Sequence, residues 1–159
     1  MGGQSERVRA LGLGGCLGVL GRLGGFEMYI AEGVMSRALR TILIVIGAGF
    51  TLQGIGWLFA PSRTAAGLGM PLLDGLARST QIGDFAAFFL TLGLGILAGA
   101  APGHARRLYF PAGLLGSAAL CRIVAWAVHG AVFATTFIVV EIVACAMLVA
   151  GAWQASDLD

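Results

Sequence analysis

The chain has 159 residues, 58% of them hydrophobic and only 11% charged, with a formal net charge of +2 and a mean hydropathy of +0.90. Soluble domains run at about 25% charged residues, so the composition excludes an ordinary water-soluble fold and fits the bilayer as solvent. Ten arginines against eight acids, with no lysine, are too sparse to form a nucleic-acid-binding face.

The opening stretch, residues 1–34, has an apolar run of only about a dozen residues before Arg22 interrupts it, too short to cross a membrane. Arg7 and Arg9 precede that run as they would in a secretory signal, but no A-x-A cleavage site follows. Each of its glycines costs about 1 kcal/mol relative to alanine in a helix interior. The stretch therefore reads as a poorly ordered or non-native extension, with Met35 as the native start.

"TILIVIGAGFTLQGIGWLFA", about residues 41–60, carries no charge. At about 1.5 Å per residue it can cross a hydrocarbon core of roughly 30 Å. "PSRTAAGLGMPLLDGLARSTQ" follows, with Pro61, Gly67 and Gly69 ending the first helix and shaping a loop. A second span is expected at about 83–101, "PGHARR" is a basic turn containing His104, a third span covers about 108–128, and a fourth about 132–153. "QASDLD", residues 154–159, is a polar tail.

In hydrocarbon the backbone must satisfy its own hydrogen bonds, and these runs lack strand alternation, so the spans are helices. Short second and third connections make neighbours antiparallel. The expected fold is all-α, an integral membrane four-helix antiparallel bundle occupying residues 35–153. Gly95 with Gly99, and Gly113 with Ser117, have the spacing of close helix contacts. With Arg37, Arg40, Arg106 and Arg107 on one side and Arg63 and Arg78 on the other, the positive-inside rule puts both termini on the cytoplasmic side.

Each span carries one polar group toward the outer side. Gln53 lies about 10 Å below residue 60, Asp84 opens the second helix, Arg122 lies about 10 Å below His129, and Glu141 about 13 Å below residue 132. Arg122, Trp126 and His129 are spaced i, i+4, i+7 and share a face. A charge at mid-bilayer costs about 2.5 to 3.5 kcal/mol on insertion scales, so a partner is required. Neighbouring helices place Arg122 and Glu141 within reach of one another. One reading is an interhelical staple whose hydrogen bonds Gln53 and Asp84 complete. The other is a small cavity open to the outer face, where Arg122 holds an anionic or carbonyl-bearing ligand and Glu141 or His129 exchanges a proton. Trp57 and Trp126, near outer helix ends, are expected to be interfacial belt anchors.

The chemistry inventory is otherwise short. Cys16, Cys121 and Cys145 are far apart and show no metal-ligand spacing. Gly93, Gly95 and Ala98 match a dinucleotide-loop pattern, but inside a span with no preceding strand, so no cofactor is implied. There is no Walker loop, HExxH or supported Ser/His/Asp set, and an enzyme is the least supported reading.

The order of first helix, "APSRTAAGLGMPLLDGLARSTQIGDFAAFFLTLG", basic turn, "RIVAWAVHG" and a fourth helix bearing "VVEIV" resembles domain-of-unknown-function family 4345, bacterial four-helix membrane proteins. These in turn are similar to the DoxX-like proteins. The resemblance spans about residues 35–153, with Pro61, Gly69, Gly83, Asp84, Arg122, Gly130 and Glu141 at matching positions. It implies a four-helix integral membrane protein and, through the DoxX-like members, a link to quinone-coupled sulfur oxidation or membrane redox partners. The arginine and paired glycines that such members carry early in the second helix are replaced here by "GDFAAFF". The leading expectation is a structural or accessory membrane protein, acting beside a membrane partner or as a homo-oligomer. The alternative is a binder or transporter of a small lipophilic or anionic molecule, or a subunit of a quinone-linked redox system.

Overall fold

A computed structural model describes residues 35–154. The extension reading of residues 1–34, with Arg7, Arg9, Cys16 and Arg22, and the tail beyond Gln154 lie outside the described residues. Helices α1 (Arg37–Phe59), α2 (Pro61–Gly67), α3 (Gly75–Gly99), α4 (Tyr109–His129) and α5 (Thr135–Gln154) follow in order, with a 3-10 turn at Ala105–Leu108 before α4. Four helices are long and apolar enough to cross a membrane: α1, α3, α5, and α4 taken together with its 3-10 turn. The protein is an all-α integral membrane bundle.

Local chemistry sets the helix ends. Ser36 starts α1 four residues before the charge-free run by accepting a hydrogen bond from the Leu39 amide at 3.2 Å. Gly130, at φ 65°, ends α4 in the left-handed region. The following residues stay non-helical as far as Thr135, where the expected fourth span would already have begun.

The largest difference from expectation is on the 61–81 segment. Pro61 does not open a loop but occupies the first turn of α2, where its missing N–H costs nothing. Ala65 from α2 and Trp57 from α1 are fully buried together against Ala86 and Phe89. Trp57 stacks on Phe85 at 4.9 Å between ring centroids and is 0% exposed, so it is a core residue and not a belt anchor. Helix α3 begins at Gly75, eight residues before the expected start, because buried Gln81 fastens the preceding loop to it. Its side chain accepts from the Leu73 amide at 2.9 Å and donates to the Pro71 carbonyl at 3.1 Å. Replacing Gln81 with alanine removes both bonds, worth about 1 kcal/mol each. Hydrogen exchange at the Leu73 amide should then quicken roughly tenfold, while amides in the middle of α3 stay unchanged.

The helices run antiparallel in two close pairs. In the α1/α3 pair, Gly47 packs by Leu97 and Gly54 by Leu90. In the α4/α5 pair, Trp126 meets Phe133 and the Cys145 thiol bonds the Ala112 carbonyl at 3.3 Å. The pairs join through one core at the basic end, where Leu43, Leu92, Ile96, Leu108, Leu115 and Leu148 are buried together. Gly99 sits against Leu108, whereas Gly113 has open space and Ser117 bonds only within its own helix. Arg40 caps this end by donating to the Ala100 carbonyl at 2.9 Å. At the α2 end the space between the pairs remains open.

Candidate functional site: a cleft between the helix pairs

An open cleft of about 1030 Å³ lies between the two pairs and is walled by all five helices. Ile46, Leu115, Ala144 and Met147 line it where it meets the closed core. Phe88 and Phe89 form one side, Phe137 and Val140 the other, and α2 contributes Arg63 and Thr64. Its walls are mainly apolar, and the polar exceptions are few.

Arg122 and Glu141 meet on its wall. The Arg122 Nε donates to Glu141 Oε1 at 2.9 Å, an ion pair between α4 and α5. The guanidinium also lies over the Phe137 ring, 4.9 Å from its centroid, a cation–π contact that fixes its orientation. Counting along the helices explains the meeting. Arg122 is seven residues, roughly 10 Å, from the end of α4, and Glu141 is six residues, roughly 9 Å, from the start of α5. The later start of α5 brings the two charges closer to level than a start at residue 132 would.

The pair is unequal. The Glu141 side chain is 10% exposed and the Arg122 side chain 40%. Glu141 Oε2 is buried without a hydrogen-bond partner among the described residues. Among the described residues Arg122 uses only Nε, so its two terminal nitrogens keep their donors. Gln53, half-buried and roughly 9 Å from the end of α1, lines the same cleft with its amide unbonded among the described residues. Three polar side chains with unused hydrogen-bonding capacity thus share one apolar recess at one depth.

Of the six residues singled out from the sequence, the structure brings Gln53, Arg122 and Glu141 to this cleft. Asp84 does not join them: with α3 starting at Gly75 it falls in the middle of the helix, exposed, on a separate shallow groove with Gln81 and Phe85. Trp126 is about half exposed and its ring meets Phe133 edge-on at 5.2 Å, outside the cleft. His129 is exposed at the last position of α4. The stripe on α4 therefore reaches the cleft only through Arg122. Arg63 and Phe137 were not singled out from the sequence. The signal for Arg63 was proline at the first helical position, which turns "PSRTAAG" into a short helix. No group of three or more His, Cys, Asp or Glu side chains that could hold a metal occurs among the described residues.

The fold and cleft define a multi-pass integral membrane protein with a polar site recessed in its bundle. No protein-family model matches the chain, and no curated protein or solved structure matches it.

Proposed function

We propose that the protein binds, from within the bilayer, a small lipophilic molecule whose embedded polar group sits on Arg122 and Glu141. The observation that carries this reading is that Glu141, whose buried Oε2 has no hydrogen-bond partner among the described residues, lines the cleft beside Arg122. An unmet acceptor in an apolar setting costs about 1–3 kcal/mol, and a ligand hydroxyl would supply the missing donor. The same hydroxyl, or an adjoining carbonyl, would accept from the terminal nitrogens of Arg122. Because Glu141 already offsets the Arg122 charge, the pair suits a neutral, hydroxyl-bearing group better than an anion. In this reading the basic end, with Arg37, Arg40, Arg106 and Arg107, faces the cytoplasm of a bacterial inner membrane.

A second reading is favoured by the ion pair itself: a staple in an accessory bundle, in keeping with the resemblance to family 4345 and the DoxX-like proteins. One experiment separates the two. The wild type and an Arg122→Leu/Glu141→Leu double variant are released from nanodiscs and examined by native mass spectrometry. Binding predicts a co-purifying noncovalent adduct on the wild type that falls at least tenfold in the double variant, as expected for hydrogen bonds to charged groups. Equal spectra, with equal helicity, would instead support the staple.

A further inference from the structure

Resting on that binding reading, we infer that the ligand carries a second, anionic group at the α2 end of the cleft, held by Arg63. The ligand class is a single-chain anion bearing a hydroxyl part-way along its chain.

The charged side chains lining the cleft are Arg63, Arg122 and Glu141. Arg122 and Glu141 are joined in one ion pair, so the recess is neutral at that depth and carries one positive charge on α2. Arg63 is exposed and takes part in no ion pair among the described residues. Its neighbour Thr64 is not an available donor, because its hydroxyl already bonds the Ala60 carbonyl at 3.0 Å. Burial of Ala65 in the core beneath α2 holds that helix in place, so the backbone that carries Arg63 is fixed at the edge of the cleft.

The spacing of the polar groups selects the ligand. Phe88, Phe89, Phe137 and Val140 give the cleft apolar walls, and Ile46 and Met147 continue them toward the core. A molecule following this pattern has an anion at the α2 end, an apolar stretch, a hydroxyl further in beside the Arg122–Glu141 pair, and an apolar tail. A diacyl phospholipid or an unsubstituted fatty acid can meet Arg63, but it passes bare methylenes beside the Arg122–Glu141 pair and offers that pair no hydroxyl. A neutral long-chain alcohol meets Glu141 but not Arg63. The anion could be a carboxylate or a phosphate monoester, since both present oxygens that accept from a guanidinium.

The test uses the full chain in nanodiscs and radiolabelled stearate hydroxylated at mid-chain. The competitors are plain stearate, the methyl ester of the hydroxystearate, and the corresponding hydroxyalkyl phosphate. The wild type should prefer the hydroxystearate over stearate by roughly tenfold. Arg63→Gln should weaken the hydroxystearate roughly three- to fivefold, the size of a partly exposed ion pair, and leave the methyl ester unchanged. The phosphate losing affinity in parallel identifies the anion as what is read, and a loss confined to one probe identifies its source. Circular dichroism should show Arg63→Gln folded, since the side chain is exposed and makes no hydrogen bond or ion pair among the described residues. The inference is overturned if Arg63→Gln leaves hydroxystearate binding intact or weakens acid and ester alike. If that happens while the hydroxyl preference survives in Arg63→Gln and vanishes in the Arg122→Leu/Glu141→Leu variant, the binding reading stands without it. If no probe binds the wild type above empty nanodiscs, both fall.

Discussion

Arg122→Leu should destabilise the bundle by about 3 kcal/mol, whereas Glu141→Leu should cost less than half as much and the double substitution to leucine about 1 kcal/mol or less. The order follows from burial. Removing the arginine strands a carboxylate whose side chain is only 10% exposed, while removing the glutamate leaves a guanidinium that is 40% exposed and carried on a long stem. Such a side chain can lean toward water, and the Phe137 ring still receives its charge. Replacing both ions removes the desolvation cost along with the attraction, which is why paired burial often gives way to apolar packing with little loss. Detergent-denaturant titration followed by circular dichroism would rank the four proteins. Equal losses for the two single variants would show that the charges are equally solvated and that the asymmetry described above is wrong.

The spans were legible because hydrophobic length reports membrane crossing directly, and the Arg122–Glu141 contact because helical rise fixes depth along an axis. Rotation about that axis is not encoded in hydropathy. Trp57 has the expected position near a helix end, yet its ring faces Phe85 and the core. Helix starts were obscured by the same weakness. Asp84 looked like the opening of a span because it is the last charge before an apolar run, but the start is set upstream at Gly75 and by the bonds of Gln81. Helix α2 is seven residues long, below the length at which periodicity can be read, and the proline and glycine at its two ends resemble a loop. A small cavity was one of two readings of these polar groups, and the sequence could not choose it over the staple, since an open space depends on the two helix pairs closing at one end and not at the other. Sequence could place polar groups at one depth without showing that Gln53 and Glu141 share an open space while Asp84 does not.

Gly93→Ala tests how that space is held. The α1/α3 crossing is so close that a Cβ at Gly93 would run into the Thr51 amide nitrogen and the Gly47 carbonyl oxygen, both backbone atoms of α1. Neither can rotate aside, and the Thr51 hydroxyl already bonds that carbonyl at 2.8 Å. Alanine favours an isolated helix by about 1 kcal/mol over glycine, but overpacking a rigid contact costs about 1–3 kcal/mol and the helices must also separate. The net expectation is a loss of about 2 kcal/mol. Gly95→Ala is the matched control, since its Cβ would come no nearer than 3.9 Å to Pro111 and should be neutral or slightly stabilising. The two variants share propensity, composition and helix, so a difference between them isolates the crossing. Separating α1 from α3 also displaces Phe50 and Gln53 relative to Phe88 and Phe89, which together make the α1/α3 side of the cleft. Hydroxystearate affinity should therefore fall in Gly93→Ala beyond what the lost stability explains and stay at the wild-type level in Gly95→Ala. Gly93→Ala at wild-type stability would mean that α1 and α3 cross farther apart than described.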